Sequence, residues 1–330
     1  MANYKDIHGT TVRNSAGNLS GAKEGELFFD STNLDFKYQF PAKTSAGAWR
    51  TGGSMNTGRR RPGGTGASNA SALAFGGDSP GNTYYNNTEI YDGASWTEVN
   101  NLNTARGYQP VGAGTVTSAL AAGGFGGNSP PFSTTAVNES WNGTSWTEVG
   151  DLNTARYNAA GCGASNTSAL AYTGNPGTIT QTESWNGSTW TEVSDVNTAR
   201  GEVSGFGIQT SAIAAVGEAP PGRLKNCESW NGSAWTAIAD ANAQSSGRGS
   251  AGADNTAGLI FGGYESPPVD SRINKTEEWN GTSWTEVADL SGTTYHYQAG
   301  AGTATSAISF GGEGPSNEQR TATEEWTGAG

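Results

Sequence analysis

Short apolar runs recur along most of the chain and are separated by polar or glycine-rich stretches. They read ALAFGG at 72–77, ALAAGG at 119–124, LIFGG at 259–263 and AISFGG at 307–312. These runs are too short for helices and end in glycine, so they predict buried strands. Before them come segments of small residues: GYQPVGAG at 107–114, GSAGAD at 249–254 and YQAGAG at 297–302. Glycine and alanine suit a strand crowded by neighbouring backbone, and we predict that these strands surround a central axis.

A hairpin with two tryptophans follows most of the apolar runs. Its first strand reads TESW or TEEW, its second reads SWTEV, and Asn-Gly lies between them. Asn-Gly is the strongest short hairpin signal, because both residues accept positive φ. In ESWNGTSWTEV, at 139–149, Trp141 and Trp146 are expected to face each other and to pack between sheets.

The same strand register brings pairs of glutamates together. It places Glu139 opposite Glu148 and Glu183 opposite Glu192. Like charges in opposed positions repel each other unless water or a cation relieves the repulsion. We interpret these glutamates as solvated at an outer sheet edge, and a bridging calcium ion is the alternative.

The second tryptophan of each unit marks a repeat. It falls at Trp49, Trp96, Trp146, Trp190, Trp235 and Trp284, and the five intervals have a mean of 47 residues. This period is typical of propeller blades. Ten residues later an arginine follows in four units, at Arg59, Arg106, Arg156 and Arg200, whereas Ser245 and Thr294 take this position in the other two.

The segment DLNTAR, at 151–156, lies between two units. We interpret it as a linker in which Asp151 and Arg156 satisfy the turn backbone and each other. A repeated ligand site is the alternative, with Asp151 and Asn153 as acceptors and Arg156 as donor.

These features together resemble a kelch repeat: a double glycine after the second strand, an aromatic residue on the third, a tryptophan on the fourth and an arginine beyond it. The resemblance covers about residues 46–330 and implies an all-β, six-bladed kelch-type β-propeller with four-stranded blades. The last copy stops after Trp326, whereas the first begins with a fourth strand, AWRTGG, around Trp49. We therefore predict that the strand near Trp49 completes the last blade and closes the ring, which removes exposed sheet edges.

Residues 1–43 precede the predicted propeller, which spans 44–330, and we interpret them as a β-rich attachment segment. They contain EGELFFDSTNLDFKYQ at 24–39, which resembles short segments near the start of phage tail-fibre and other virion proteins. The repeats are also similar to propellers of marine bacteriophage structural proteins. This resemblance implies a place in the virion, with residues 1–43 bound to other virion proteins. Fibre components are often trimeric, which leaves a homo-oligomer open.

The composition of the chain limits the kinds of molecule that we expect it to bind. The formal net charge is −12 and the pI is about 4.6, which argues against nucleic acid, because phosphates are bound by clustered Lys and Arg. We find no signal peptide at the start and expect no membrane insertion. Synthesis in a host cytoplasm fits a virion protein, since virions assemble inside the host.

Cys162 and Cys227 form neither a disulfide framework nor a zinc spacing, and we interpret them as small apolar fillers.

The sequence offers little for catalysis. A copper radical oxidase of the kelch class needs two histidines near two tyrosines, but the chain has only His8 and His296, and His8 precedes the predicted propeller. The sialidase box SxDxGxxW is similar to Ser140–Trp146, except that here Asn directly precedes Gly. No Ser/His/Asp set can be built either. We predict no catalytic residues, no cofactor and no bound metal.

The loops after the second and fourth strands are predicted to share one face, opposite the tight hairpins. The hairpins are nearly invariant, whereas the loops after the second strands differ in every unit, as in DSPGNTYYNN at 78–87 and EAPPGRLKN at 218–226. Variation on a rigid scaffold is how loops usually carry recognition, and aromatic and basic residues are enriched at binding hot spots. The candidate binding residues are Tyr84, Tyr85, Tyr108, Phe132, Tyr157, Arg223, Lys225, Tyr264, Arg272, Tyr295, Tyr297 and Arg320.

From these patterns we predict a non-enzymatic bacteriophage virion protein of the tail or tail fibre. Its variable face is expected to bind a host-surface glycan or protein, or another virion protein. A glycan-cleaving, sialidase-like propeller enzyme is one alternative. An intracellular kelch-type adaptor for other proteins is the second.

Overall fold

The computed structural model describes residues 13–15, 27–32, 34–38, 47–266, 271–292 and 295–328. The chain divides into two compact units, residues 1–46 with 329–330 and residues 47–328. In the first unit the described strands are Arg13–Ser15, Leu27–Asp30 and Asp35–Tyr38. The first of these runs parallel to the second, which pairs antiparallel with the third. Most of the predicted attachment segment, 1–43, lies outside the described residues.

The described part of residues 47–328 contains strands and connections but no helix, and so none that is long and apolar enough to cross a membrane. It contains six sets of four antiparallel strands paired in succession, here called sheets 1 to 6. Five of them are separate four-stranded sheets, and sheet 4 is part of a seven-stranded sheet that also includes three short loop strands. Sheet 1 consists of Gly63–Ser68, Ser71–Phe75, Thr88–Tyr91 and Trp96–Val99, and sheet 2 of Val111–Thr115, Ser118–Ala122, Asn138–Trp141 and Trp146–Val149. Sheet 3 consists of Ala160–Ser165, Ser168–Tyr172, Thr182–Trp185 and Trp190–Val193, and sheet 4 of Ser204–Ile208, Ser211–Ala219, Gly222–Trp230 and Trp235–Ile238. Sheet 5 consists of Gly249–Asp254, Ala257–Phe261, Thr276–Trp279 and Trp284–Val287, and sheet 6 of Ala299–Thr303, Ser306–Phe310, Thr323–Thr327 and Ala48–Thr51.

Sheet 6 combines both ends of this unit. The strand Ala48–Thr51 pairs antiparallel with Thr323–Thr327, and Trp49 lies opposite Trp326 with ring centroids 5.4 Å apart. The prediction that the strand near Trp49 completes the last sheet is therefore confirmed. The six sheets are compatible with a β-propeller.

The first strands of the sheets lie closest together. Each packs against the first strands of the preceding and following sheets, and that of sheet 6 packs against that of sheet 1. A Cβ atom at Gly112 would lie 2.1 Å from the carbonyl oxygen of Gly64 in the neighbouring sheet, so this position requires glycine. All six first strands line one cavity of about 330 Å³. The small-residue segments are thus central, as expected.

The two tryptophans of a hairpin lie opposite each other, as predicted. Trp141 pairs with Trp146, with ring centroids 5.3 Å apart. The expectation that both Asn and Gly have positive φ was wrong, because only Gly143 does, at 92°. The connection has four residues, and the Asn142 side chain stabilises it by accepting hydrogen bonds from the backbone N–H groups of Thr144 and Ser145.

Buried ion pairs connect five of the six linkers to the sheet that follows. Arg106, which precedes sheet 2, forms an ion pair with Glu139 on the third strand of that sheet, with a nitrogen–oxygen distance of 3.0 Å, and both side chains are 0% exposed. Glu139 also accepts from the backbone and side-chain nitrogens of Asn103. The glutamates facing the linkers are therefore not solvated, and arginine rather than calcium is their partner. The equivalent pairs are Arg59–Glu89, Arg156–Glu183, Arg200–Glu228 and Arg248–Glu277.

These pairs correct two further expectations. Asp151 and Arg156 do not bind each other, because Asp151 accepts from the backbone N–H of Asn138 while Arg156 reaches Glu183. The arginine that is missing at Ser245 is replaced three residues later by Arg248. In sheet 6 the equivalent Glu324 instead accepts hydrogen bonds from Ser291 and Gly292.

A closed series of backbone hydrogen bonds lies just before the first strands. Residues at six equivalent positions have φ between 49° and 59°: Arg61, Tyr108, Asn158, Glu202, Gly247 and Tyr297. Gln109 next to Tyr108 also has positive φ, and these two residues share the position in sheet 2. Each N–H donates to the carbonyl of the preceding position at 2.7 to 3.0 Å, and the first, Arg61, donates to the last, Tyr297. Because of this turn, the first strands of sheets 2 and 6 begin later than predicted, at Val111 and Ala299.

The fourth-strand tryptophans also bind the preceding sheet. The indole nitrogen of Trp146 donates to the Thr88 hydroxyl at 3.0 Å, and three other units repeat this bond. In sheet 4 the threonine position is Cys227, which is buried in the same apolar cluster as Trp284. The Trp284 indole nitrogen is buried and has no hydrogen-bond partner among the described residues.

We expect Glu139→Gln to lower the free energy of unfolding by about 3 to 5 kcal/mol, because it leaves Arg106 as a buried charge without its counterion. Glu148→Gln is the matched control, since Glu148 lies directly opposite but is exposed. Its effect should stay within about 0.5 kcal/mol. Urea unfolding of both variants measures the difference, and equal effects would contradict the burial of only one glutamate.

We expect Cys227→Thr to raise the free energy of unfolding by about 1 kcal/mol, because the new hydroxyl can accept from the Trp284 indole. Cys227→Val is the control, since valine has the same shape as threonine and no hydroxyl. Thermal and urea unfolding compare the two variants. A valine variant as stable as the threonine variant would show that packing, and not the hydrogen bond, decides stability at this position.

Candidate functional site

The loops after the second and fourth strands form one continuous surface, as predicted. We define the loop face as the described residues of 76–87, 123–137, 173–181, 216–226, 262–275 and 311–322, with 52–62, 100–110, 150–159, 194–203, 239–248 and 288–298. At least one backbone bridge per sheet joins the two kinds of loop. These bridges include Arg60 with Asp78, Arg106 with Gly126, Tyr157 with Asn175, Gly201 with Glu218, Ser245 with Glu265 and His296 with Glu313. These bridges hold the side chains of the loop face on a fixed backbone.

Five rings from neighbouring loops pack together on this face. We call Tyr84, Tyr108, Phe125, Phe132 and Tyr157 the aromatic cluster. Their centroids are 4.7 to 6.3 Å apart, mostly with tilted or edge-to-face contacts. Each ring is half-buried, so the rings fix one another while part of each remains open to solvent.

Arg61 connects this cluster to the middle of the loop face. Its guanidinium lies 3.5 Å from the centroid of Tyr108 and 5.0 Å from that of Tyr297. It also donates two hydrogen bonds to Asp78, each 3.0 Å long. Burial lowers the pKa of Arg61, but Asp78, Tyr108 and Tyr297 together outweigh burial and raise that pKa above its ordinary value.

A second group of rings, formed by Tyr297, His296 and Tyr264, contacts Arg61 through Tyr297. His296 stacks on Tyr297 with centroids 3.5 Å apart, and Tyr264 lies 5.5 Å from His296. The Arg223 guanidinium lies 4.2 Å from the centroid of Tyr264. Burial and the positive charges of Arg272, Arg223 and Arg61 lower the pKa of His296 to about 3, so its imidazole is neutral near pH 7.

Three carboxylates near the two groups of rings, those of Asp78, Glu313 and Glu202, are bound by other side chains of the protein. Asp78 accepts from Arg60 and Arg61, and Glu313 accepts from Arg60 and Arg272. Glu202 accepts from the Tyr297 phenol at 2.6 Å and from the Ser246 hydroxyl at 2.9 Å. Burial raises the pKa of Glu202. Among the described residues no group of three or more His, Cys, Asp and Glu side chains is placed to hold a metal ion.

The structure brings together seven of the twelve predicted binding residues. Tyr84, Tyr108, Phe132 and Tyr157 belong to the aromatic cluster, and Tyr297, Tyr264 and Arg223 continue from it through Arg61 and His296. The sequence analysis missed Phe125 and Arg61. Phe125 directly follows the double glycine of sheet 2, outside the loop residues that we selected, and Arg61 lies in a turn without a recognisable pattern.

The other five predicted residues lie apart from this series. Tyr85 donates to Gln319 at 3.4 Å, and Arg272 is bound to Glu313. Lys225 is exposed and lies 3.5 Å from Asp240. Tyr295 is buried, with the Arg320 guanidinium 5.7 Å from its ring centroid, so Tyr295 is a packing residue in this structure.

Comparison with protein-family models gives no match for this chain, and comparison with curated proteins gives none either.

The lowered pKa of His296 makes stability depend on pH. Because the folded pKa of about 3 lies below the ordinary 6.5, the unfolded chain takes up this proton first. His296 should therefore destabilise the fold by up to about 1.4 kcal/mol for each pH unit below about 6.5. The raised pKa of Glu202 acts in the opposite direction.

Urea unfolding of the parent chain and of His296→Gln, at about pH 7.5 and about pH 5, isolates this contribution. The parent chain should lose more stability than the variant on acidification. Equal losses would show that His296 titrates as it does in the unfolded chain.

Proposed function

We propose that this chain is a six-bladed, kelch-type β-propeller that serves as a non-enzymatic binding component of a bacteriophage virion. Three observations support the propeller. The strand Ala48–Thr51 completes sheet 6, all six first strands line one cavity, and the series of backbone hydrogen bonds returns from Tyr297 to Arg61. In such a ring each sheet is one blade, and neither terminal strand leaves an open edge.

The observation that carries the binding function is the series of contacts across the loop face. It runs from Phe132 through Tyr84 and Tyr108 to Arg61, and on to Tyr297 and His296. Aromatic and arginine side chains held in place in this way are the types that dominate binding energy. The ligand in this proposal is a host-surface glycan or protein, or a neighbouring virion protein.

The virion assignment is supported by the resemblance of the segment at 24–39 to the start of phage tail-fibre proteins. In this assignment residues 1–43 attach the chain to the tail or its fibres, and the loop face is presented to the partner. In the same assignment the hairpin side, with its nearly invariant Asn-Gly turns, has a structural role and does not bind the partner.

Binding fits the loop face better than glycan cleavage does. A glycosidase needs carboxyl groups that can reach the substrate, but Asp78 and Glu313, which lie next to the series of rings, are each bound by two arginines. The phenol of Tyr297 is a poor nucleophile, because burial and the Glu202 charge raise its pKa. We therefore favour a non-enzymatic role.

Two measurements test this proposal. Gradient-purified particles of the phage that encodes this chain should contain its peptides by mass spectrometry, and their absence would contradict the virion role. The purified full chain should bind cells of the phage host or an isolated tail protein. Tyr84→Ala combined with Phe132→Ala should weaken that binding at least about ten-fold.

The matched control for the binding assay carries Thr144→Ala and Ser188→Ala, two exposed positions in hairpin turns. This variant should bind like the parent chain. Equal losses in the two double variants would place the binding surface elsewhere, and release of sugar from host polysaccharide by the parent chain would favour the enzyme instead.

A further inference from the structure

The aromatic cluster combines rings from three neighbouring sheets in one patch. Tyr84 belongs to the loop of sheet 1, Phe125 and Phe132 to the loop of sheet 2, and Tyr108 and Tyr157 to the linkers before sheets 2 and 3. Tyr84 contacts three of the other rings, and its centroid is 4.7 Å from that of Phe132. Half-buried rings in edge-to-face contact are already ordered, so a ligand that stacks on them does not have to order them.

The phenol groups of this cluster are available. Within the described part of the chain, the hydroxyls of Tyr84, Tyr108 and Tyr157 make no hydrogen bond, whereas the Tyr297 hydroxyl is bound to Glu202 and that of Tyr85 to Gln319. The cluster therefore offers apolar ring faces and unused hydroxyl groups side by side. A pyranose has the matching surfaces, with C–H groups on its faces and hydroxyl groups at its rim.

The charges at the aromatic cluster indicate whether a neutral or an acidic sugar fits it. No member of the aromatic cluster is charged, and the guanidinium in contact with it, Arg61, is bound at two atoms by Asp78. An acidic sugar needs a free cation for its carboxylate, and the carboxylate of Asp78 would instead repel it. The cluster therefore matches a ligand without charge.

We infer that the aromatic cluster is a binding site for a neutral oligosaccharide. This inference rests on the proposed binding function of the loop face and names its ligand class. The sugar rings stack on the exposed faces of Tyr84, Phe132 and their neighbours, and the phenols hydrogen-bond to sugar hydroxyls. The second group of rings is a poorer stacking surface, because His296 is buried against Tyr297 and the Tyr297 hydroxyl is already bound to Glu202.

The test uses the full chain and oligosaccharides released from the surface polysaccharides of the host, separated by anion exchange into a neutral and an acidic fraction. Isothermal titration calorimetry should show binding of the neutral fraction, with an affinity that salt leaves unchanged. Tyr84→Ala and Phe132→Ala should each weaken it at least about ten-fold. Tyr108→Phe, which keeps the ring and removes the phenol, should weaken it about three- to ten-fold.

Tyr85→Ala is the matched control, because Tyr85 is the half-buried neighbour of Tyr84 but has no place in the cluster. Thermal unfolding first confirms that each variant is folded. If Tyr84→Ala does not fold, Phe132→Ala alone tests the contribution of the rings to binding. Binding that is unaffected by both variants would overturn the inference. Salt-sensitive binding of the acidic fraction alone would also overturn it and leave the proposed function intact.

Two further outcomes separate this inference from the proposed function. If neither fraction binds while the chain still binds host cells, the ligand is not a neutral glycan and the inference fails. If the chain binds neither cells nor tail proteins, the proposed function itself fails.

Discussion

The buried arginine–glutamate pair between a linker and the next sheet is the interaction on which the rest of this structure depends. Two ions at zero exposure are stable only when they neutralise each other and their remaining hydrogen bonds are satisfied. Arg106 and Glu139 neutralise each other, the Arg106 guanidinium donates to the carbonyl oxygens of Val137 and Ala121, and Asn103 supplies two hydrogen bonds to the carboxylate. Because a displaced linker would leave both charges unpaired, the pair holds the linker in one position relative to the sheet.

That position has consequences for the loop face. Tyr108 follows Arg106 by two residues and Tyr157 follows Arg156 by one, so the pairs that anchor the linkers also place two rings of the aromatic cluster. Tyr84 and Phe132 lie on the longer loops, which backbone bridges tie to the same linkers. The scaffold thus determines where the rings lie, and the loop sequences determine which rings they are.

Much of the fold could be predicted from the sequence because the relevant signals are local. Apolar runs that end in Gly-Gly, hairpins with two tryptophans and a constant period were sufficient to locate the four strands of a unit. The environment of Glu139 could not be found in this way. Its cross-strand neighbour suggested two like charges in water, whereas its partner lies 33 residues earlier, on a linker. Arg248 shows the same limit, because it restores the pair from a different register position.

The types of residue in the candidate site could be predicted from the sequence, but their arrangement in space could not. Aromatic and basic residues in the loops after the second and fourth strands indicated seven side chains that the structure joins in one series. The left-handed residues beneath them left no signal, because Arg, Tyr, Asn, Glu and Gly all occupy equivalent positions. Their conformation is imposed by the neighbouring backbone, and five different residue types adopt it for the same hydrogen bond.

This closed series of hydrogen bonds also bears on how such a chain can evolve. An open series leaves one donor and one acceptor unused at its ends, whereas the circular one through Arg61 and Tyr297 leaves none. Its members polarise one another in the same rotational sense. Duplication or loss of one unit would open the circle unless the new number of members could close at a different radius. The copy number of the repeat is therefore constrained by backbone geometry at the centre, independently of what the loops bind.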